Sequence, residues 1–598
     1  MRRTAYDADF CVVGGGLAGM IAAIAAARRG AKVVLVQDRP VLGGNASSEI
    51  RMHVCGANGE NVRETGILEE LMLDNLYHNS TPTYALWDAV LYAKAQYQEN
   101  LTLLLNCTVN RVTITDDWRA SVLASRIKAI HGYQLTTETE ITVTAPLFAD
   151  CSGDGVLAPL TGADYRMGRE GRDEFGEGIA PPVADTKTMG MTCLLQAREH
   201  DTPQPFAPFA WAHTYRSEAD LRGRGARIHR TNFWWMEVGG EWDSIHDTER
   251  CREELLKIAF GVWDYMKNHA PDKALYANFA LDWQGFLPGK RESRRYCGDH
   301  ILTQHDIEAA GCFDDIVAYG GWTMDDHFPA GFYHPEAGTI FHPAPSPFGI
   351  PYRSLYSRNV ANLFCAGRCH SATHSAMSAT RVMGTTSLMG QAVGTAAAIA
   401  TRHHLTPRAV YEQKIPELQA ALMDDDCWLP GHRRAIPEPC RSALLAAATG
   451  NVEALRSGMD RGGEYWEAPL GIAVTYAFDA PVTLREIRLV CDSDLDRTDP
   501  SRGNGTLRNM RFYAAKGDTP FHPPSTLLRA FRLEGLSPDG TWHTLHRTTD
   551  NFQRLVRISP VVSGQWPVVS AIRLIPEATW GHPLARLFAF DCTQACPS

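Results

Sequence analysis

Three glycines, Gly14, Gly16 and Gly19, constrain this chain more than any other feature. They follow a short apolar run, Asp9–Val13, and open a segment, Leu17–Arg29, in which Leu17, Met20, Ile21 and Ile24 share one helical face. Gly30 ends that helix, and Lys32–Gln37 reads as a second buried strand. A strand, glycine turn, helix and strand within about thirty residues make the unit in which a backbone approaches a pyrophosphate and a helix N-terminus faces its charge. The plain alternative is a tight Gly-rich turn without a ligand, and the complete flanking unit argues against it. About twenty residues past the motif, where an acidic residue usually holds an adenosine ribose, the chain has Gln37, followed by Asp38 and Arg39. Gln37 can still hydrogen-bond a ribose hydroxyl, but the change argues against a routine NAD site.

At about 150 residues per domain, 598 residues predict two to four domains. Residues 60–100 read as helical, and 101–114, 121–131 and 133–149 as short strands of a meander. Leu147–Ala149 leads into a second glycine loop, Asp150–Gly155. From 165 to 345 the pattern is mixed and rich in aromatics, His and Gly, as in a segment inserted to shape a pocket. Asn362–Ala366 returns to a strand and Gly384–His404 to an Ala- and Gly-rich helix. Beyond Pro430 a connection with a short helix at Ser442–Ala448 leads to alternating runs such as Val474, Tyr476, Phe478 and Ile487, Leu489, the mark of a β-sandwich. The expected architecture is α/β: a Rossmann-like cofactor domain in two parts, 1–165 and 346–430, with an inserted α+β substrate domain at 166–345. A linker, 431–459, then joins an all-β sandwich at 460–598.

Lys plus Arg number 58 against 68 Asp plus Glu, a net charge of −10 with no basic run, so nucleic acid is not an expected partner. No run of eighteen apolar residues is uninterrupted by glycine, and no membrane-spanning helix is expected. Arg2 and Arg3 before the apolar stretch Cys11–Ala27 resemble a secretory signal, but Asp7, Asp9 and Gly14–Gly16 argue against one, and a cytoplasmic location is expected. The 15 cysteines include no CxxC pair. Cys365 with Cys369, and Cys592 with Cys596, read as buried free thiols.

At this point the chain resembles the FAD-dependent oxidoreductases distantly related to the flavoprotein subunits of succinate dehydrogenase and fumarate reductase, over about residues 8–430. The resemblance rests on Gly14–Gly19, on Gln37–Asn45 with Ser47, Ser48, Glu49 and Arg51, and on Asp150–Gly155. It continues through Tyr165–Glu170, Gly289–Arg295, Gly320–Trp322 with Asp325 and His327, Ile350–Ser354, Ala366–His374, Arg381–Gly384 and Gly390–Gly394. It implies bound FAD. Gly14, Gly16, Leu17, Ala18 and Gly19 would hold the pyrophosphate, Gln37, Asp38 and Arg39 the adenosine ribose, and Val109 the adenine through its backbone. Gly43, Gly44, Asn45 and Ser47 would face the ribityl and flavin side, with Gly153 and Asp154 of the second loop also at the cofactor. Gly367, Arg368, Val382, Met383, Gly390 and Gln391 would close over the isoalloxazine, where the N-terminus of the helix near Gly384 favours the reduced anion.

Oxidising an alcohol needs a base for the hydroxyl proton, and histidine suits the task. His374 matches a family histidine and is the first candidate, with Arg381 beside it able only to donate hydrogen bonds to developing negative charge. His370, four residues earlier, raises a zinc pair for which no third ligand is apparent. Asp325 and His327 follow Trp322 in a loop fit for a carboxylate that orients an imidazole beside an aromatic wall. His53 follows Glu49 and Arg51 with period two, so on a strand the three would share one pocket-lining face. Arg291, with Glu292, Arg294 and Arg295, forms a candidate clamp for a carboxylate or several hydroxyls; the alternative is a solvated charge run.

The last 140 residues loosely resemble a discoidin or galactose-binding sandwich, through segments such as Glu486–Val490 and Phe588–Asp591. Trp542, Trp566 and Trp580 are candidates for sugar stacking or for the core, and Asp492–Asp499 and Thr519–Ser525 read as long loops. A lid or oligomerisation module is the competing role. The expected function is FAD-dependent oxidation of a hydroxyl on a small polar substrate, with a sugar or glycoside as its class. Redox-neutral glycoside cleavage through transient oxidation, and a non-catalytic carbohydrate-binding flavoprotein, are the rivals. Oxygen, a quinone or another protein stay open as electron acceptor.

Overall fold

The computed structural model describes residues 2–116, 125–226, 233–495, 510, 522–559 and 568–595. Two compact units divide the chain, the first comprising Met1–Asn58, Pro82–Leu418 and Gly503–Thr519. The second comprises Gly59–Thr81, Gln419–Arg502 and Pro520–Ser598.

The first unit is built on a parallel sheet of β1 (Phe10–Val13), β2 (Val33–Val36), β3 (Leu101–Leu104), β4 (Leu147–Asp150) and β5 (Leu363–Cys365), in the order β5-β4-β1-β2-β3. Every residue of β1, β2, β4 and β5 is buried, which is why these strands read as unbroken apolar runs rather than alternating ones. The meander expected before β4 forms as Cys107–Asp116, Ser125–Gln134 and Thr139–Thr144, closed by a parallel strand, Arg2–Asp7. Residues 117–124, which include the start of the expected strand 121–131, lie outside the described residues.

Helices α1 (Leu17–Arg28) and α2 (Met383–His403) pack together through small residues. A Cβ on Gly390 would lie 2.1 Å from the Ala18 carbonyl oxygen, and one on Gly394 2.1 Å from that of Ala22. Gly390, expected at the flavin, therefore serves the approach of two backbones. Gly390→Val is expected to cost about 3 kcal/mol or more by overpacking this contact. Unchanged stability in denaturant unfolding would show that the helices have room to separate.

The segment between β4 and β5 carries helix Thr248–Asp264 over a core that includes Met191, Leu255, Ile258, Val262 and Trp263. Met324–His327, expected as a loop, is a strand paired antiparallel with Thr339–His342. The sequence reading missed it because its charged residues show no apolar alternation.

The second unit is an antiparallel β-sandwich. Its longest strand, Val474–Cys491, pairs with Val568–Thr579 over its first part and with Leu584–Gln594 over its second, so one strand serves both sheets. The helix expected at Ser442–Ala448 is instead a short helix, Glu438–Ser442, followed by strand Leu444–Ala447, whose pairing with Val474–Ala477 overrides alanine's helical preference. Gly59–Thr81 joins this unit through its helix Ile67–His78. Gln553 Nε2 donates to Asp74 Oδ1 (2.6 Å), Arg461 Nη1 donates to the Asn61 carbonyl (3.0 Å), and Tyr77 stacks on Phe552 with centroids 4.0 Å apart. Trp542 lies under the Arg573 guanidinium at 4.0 Å, and Trp580 Nε1 donates to the Asn551 carbonyl (2.8 Å). Trp566 and parts of both expected long loops lie outside the described residues.

Among the described residues the cysteines are free thiols, and no helix is long and apolar enough to cross a membrane.

Candidate active site

The glycine turn sits between β1 and α1 and forms a bridge, Gly16 to Gly43, with the loop after β2. Gly14 has φ +104°, and a Cβ there would lie 2.4 Å from the Ser152 amide nitrogen of the second glycine loop. At Gly19 a Cβ would meet the Gly14 carbonyl oxygen at 1.9 Å. Both glycines are dictated by the fold itself. Gly16 differs: its φ of −62° suits any residue, and the nearest atom to an added Cβ is the Gly44 Cα at 3.9 Å. Its side-chain space is left open by the protein, the form expected of a cradle that a phosphate group must enter.

Gln37 behaves differently from expectation. It is buried, its Oε1 accepts from the Gly15 N–H (2.7 Å), and its Nε2 donates to the Val41 carbonyl (3.2 Å). The side chain braces the turn from within. Asp38 is exposed, and Arg39 lies 3.4 Å from Glu49. Val109 is buried on strand Cys107–Asp116, paired with Gly132. Leu17 and Ala18, in the first turn of α1, are also buried.

Beyond Asn45 a cleft opens, lined by Asn45, His53, Cys55, Arg368, Val382 and Met383 among others. Val382 is the N-cap of α2, so this 21-residue helix begins at the cleft wall. Its Gly384 N–H donates to the Cys55 carbonyl (2.7 Å), tying the His53–Cys55 segment to the helix start. Ser47, whose hydroxyl donates to the Gly44 carbonyl (2.7 Å), stabilises the preceding turn and is fully buried. Gly367 has φ +91°, and Gln391 is buried within α2.

Asp154 anchors the second glycine loop. Its carboxylate accepts from Lys290 Nζ (2.7 Å), Arg368 Nη2 (2.8 Å) and the Ser293 hydroxyl (2.8 Å). Burial opposes its ionisation, but the two cations outweigh that and hold it well below the usual carboxylate range. At Gly153, with φ +78°, a Cβ would lie 2.9 Å from Arg368 Nη2.

Glu49, Arg51 and His53 do not share a strand face. Arg51 is left-handed, with φ +60°, which turns the chain and separates the three. Glu49 goes to Arg39, while Arg51 donates to Gln196 Oε1 (2.6 Å) and lies over the Trp283 ring. His53 reaches the cleft, where its Nε2 lies 3.1 Å from Cys55 Sγ.

His374 and His327 are both buried and clasped by carboxylates. His374 Nδ1 is 2.8 Å from Glu292 Oε2 and its Nε2 is 3.1 Å from Asp326 Oδ1. Burial alone would lower its pKa, but Glu292 and Asp326 outweigh burial and push it up to about 10. An imidazolium held in this way has no lone pair for a substrate proton, and His374 is not among the residues lining the cleft. The geometry therefore corrects its reading as a general base. His327 has Glu237 Oε2 at 2.6 Å from Nδ1 and Asp325 Oδ2 at 3.2 Å from Nε2, with the edge of Trp234, rather than Trp322, against its ring. Asp325 and Glu237 stay ionised despite burial, through His327 and Arg381 in one case and Arg291 and His327 in the other. His370 is also structural: Nδ1 is 2.9 Å from the Gly367 carbonyl, Nε2 is 2.9 Å from the Thr380 hydroxyl, and burial lowers it to about 4.

Arg291 and Arg381 line the cleft. Arg291 donates to the Thr192 hydroxyl (2.8 Å) and the Trp234 carbonyl (2.9 Å), whereas Arg294 and Arg295 turn elsewhere, Arg295 to Glu170 and Glu292. The cluster expected as one clamp is thus divided, with only Arg291 of the four at the cleft. Sequence reasoning missed Lys290, Cys55, Glu237 and Asp326. Only Cys55 carried a local signal, its spacing of two from His53.

The sequence profile of a family described as FAD dependent oxidoreductase matches residues 9–422. A curated relative, the tRNA uridine 5-carboxymethylaminomethyl modification enzyme MnmG of Rhodopirellula baltica, is 30% identical over 236 residues, covering 34% of this chain and 36% of its own. The chain thus spans about a third of the length of that relative. Among solved structures, the family 32 carbohydrate-binding module of Streptococcus pneumoniae EndoD is similar to 27% of this chain over 99% of its own, at 14% identity and TM-score 0.20. Thermovibrio ammonificans THI4 is similar over 30% of this chain and 76% of its own, at 18% identity and TM-score 0.21. With the open cradle at Gly16 and the profile spanning both glycine loops and α2, the chain belongs to the FAD dependent oxidoreductase family and takes FAD as its cofactor.

Proposed function

We propose that the protein oxidises a hydroxyl-bearing carbon of a small polar substrate seated in the cleft, with sugars and glycosides as the class to test first. The observation that supports this reading most is the position of His53. It reaches the cleft beside Asn45 and Met383. Bound FAD supplies the two-electron acceptor. As the substrate C–H and O–H bonds break and the C=O bond forms, the His53 imidazole would accept the proton, and FAD, when bound, would take up the two electrons as a hydride equivalent. Cys55 Sγ, 3.1 Å from Nε2, orients that ring. Arg381 and Arg291, which also line the cleft, hold the substrate in place by donating hydrogen bonds to it. Asp38 takes the ribose role expected of Gln37, and Gly43, Gly44 and Asn45 border the ribityl chain.

The test is anaerobic mixing of the FAD-loaded protein with a panel of sugars and sugar acids, followed at the flavin absorbance band near about 450 nm. Lasting bleaching by a panel member is the expected result. Product formed without lasting bleaching would favour the redox-neutral rival. His53→Ala is expected to keep its FAD and to slow bleaching by about 10²- to 10⁴-fold, the usual contribution of a general base. A rate near that of the unaltered protein would remove His53 from the mechanism.

A further inference from the structure

Among the described residues the cleft is lined by four cations, Lys290, Arg291, Arg368 and Arg381, and by no Asp or Glu. In a chain of net charge −10 this is a local reversal of sign. The counter-charges lie behind the wall and are fewer. Asp154 alone serves both Lys290 and Arg368. Arg381 Nη2 is 3.3 Å from Asp325, and Arg291 Nη1 is 3.4 Å from Glu237, both long for charge-assisted hydrogen bonds. His327 lies between those two carboxylates and competes for each of them. The chain Arg381, Asp325, His327, Glu237, Arg291 therefore fixes both guanidinium groups at the cleft; Arg291 also donates to Thr192 and the Trp234 carbonyl, which leaves Arg381 the less engaged of the two. Arg381 Nε is buried and has no hydrogen-bond acceptor among the described residues.

A concave wall with four cations, three carboxylates behind it and an unused guanidinium donor is suited to an anion. The pyrophosphate of FAD does not account for it, because that group belongs at the Gly16 cradle, and the oxidised isoalloxazine carries no net charge. Resting on the hydroxyl-oxidation reading above, we propose that the substrate is itself acidic, a polyhydroxylated carboxylate of the uronate or aldonate class. Its carboxylate seats at Arg381 and Arg291, whose planar forks match two carboxylate oxygens where a lysine would offer only a point charge. Anchoring that end leaves the hydroxyl-bearing carbons toward His53.

The experiment uses the full-length FAD-loaded protein, anaerobically, with D-glucuronate and D-gluconate as acids, methyl D-glucuronate ester and D-glucose as neutral counterparts, and malonate as an anion without a hydroxyl. The acids are expected to perturb or bleach the flavin spectrum with half-saturation at least about tenfold below that of the neutral probes, and malonate to compete with them. Each tenfold step corresponds to about 1.4 kcal/mol. Arg381→Gln is expected to bring the acid-to-ester ratio close to one, and Arg381→Lys to retain part of it. Malonate competition in the unaltered protein tests the site even if both variants misfold. Acids that bind and compete with malonate while no probe bleaches the flavin would leave the anion site standing and defeat the oxidation reading. Bleaching by neutral sugars at equal or lower half-saturation, or a spectrum unmoved by every acid, overturns the acidic substrate. So does an Arg381→Gln variant that shifts the flavin reduction potential but leaves acid half-saturation unchanged, since the cations would then serve the reduced flavin.

Discussion

Gly16→Val is expected to yield a folded protein that purifies without its yellow colour. The backbone at Gly16 already has a φ that valine adopts, and the added Cβ has no neighbour closer than 3.9 Å, so the fold has room for the branch. The branch would fill the space through which a pyrophosphate must approach the amides of the turn. Gly14 and Gly19 give the opposite outcome, because any side chain there would strike backbone atoms at 2.4 and 1.9 Å and disturb folding before binding. Flavin content per chain, read with the thermal midpoint, separates these cases. A Gly16→Val protein with a full complement of FAD would show that the turn is not the phosphate site.

His374→Leu is expected to destabilise the first unit by about 3–5 kcal/mol, the usual cost of leaving a buried charge without its partner. Glu292 and Asp326 would both lose the imidazolium, Glu292 keeping Arg295 and the Met189 N–H and Asp326 chiefly the attraction of Arg169. The same group predicts a pH dependence. Its folded pKa of about 10 lies above the ordinary histidine value near about 6.5, so its stabilisation is complete below the lower figure and is lost as pH rises through the higher. Denaturant midpoints between those two pH values should fall in the unaltered protein and be flatter in His374→Leu. Identical slopes in the two proteins would mean that His374 is not an imidazolium in the fold.

What the sequence made legible is what is local. The β1–α1–β2 unit could be read from adjacent residues, because a glycine turn between two apolar strands has few other uses. The carboxylate–histidine clasps could not, since Glu237 meets His327 from 90 residues away and Glu292 meets His374 from 82. A conserved-looking spacing also misled. Period two placed Glu49, Arg51 and His53 on one face, and a single left-handed residue, Arg51, undid it. Gly390 shows the reverse problem, since a glycine beside a cofactor motif looks alike in sequence whether it faces the flavin or the neighbouring helix.

The sandwich unit draws its residues from three stretches of chain, and Gly59–Thr81 comes to it from within the region matched by the cofactor family. Its inheritance is therefore not that of a cassette. A recombination breakpoint placed after residue 455 would transfer most of the strands but leave behind Leu444–Ala447 and the stretch Gly59–Thr81, and with it the partners of Gln553, Phe552 and Arg461. Lineages that exchange this part of the protein must change both stretches together, so substitutions at Asp74, Tyr77 and Gln553 should track one another across relatives even though most of the chain lies between them.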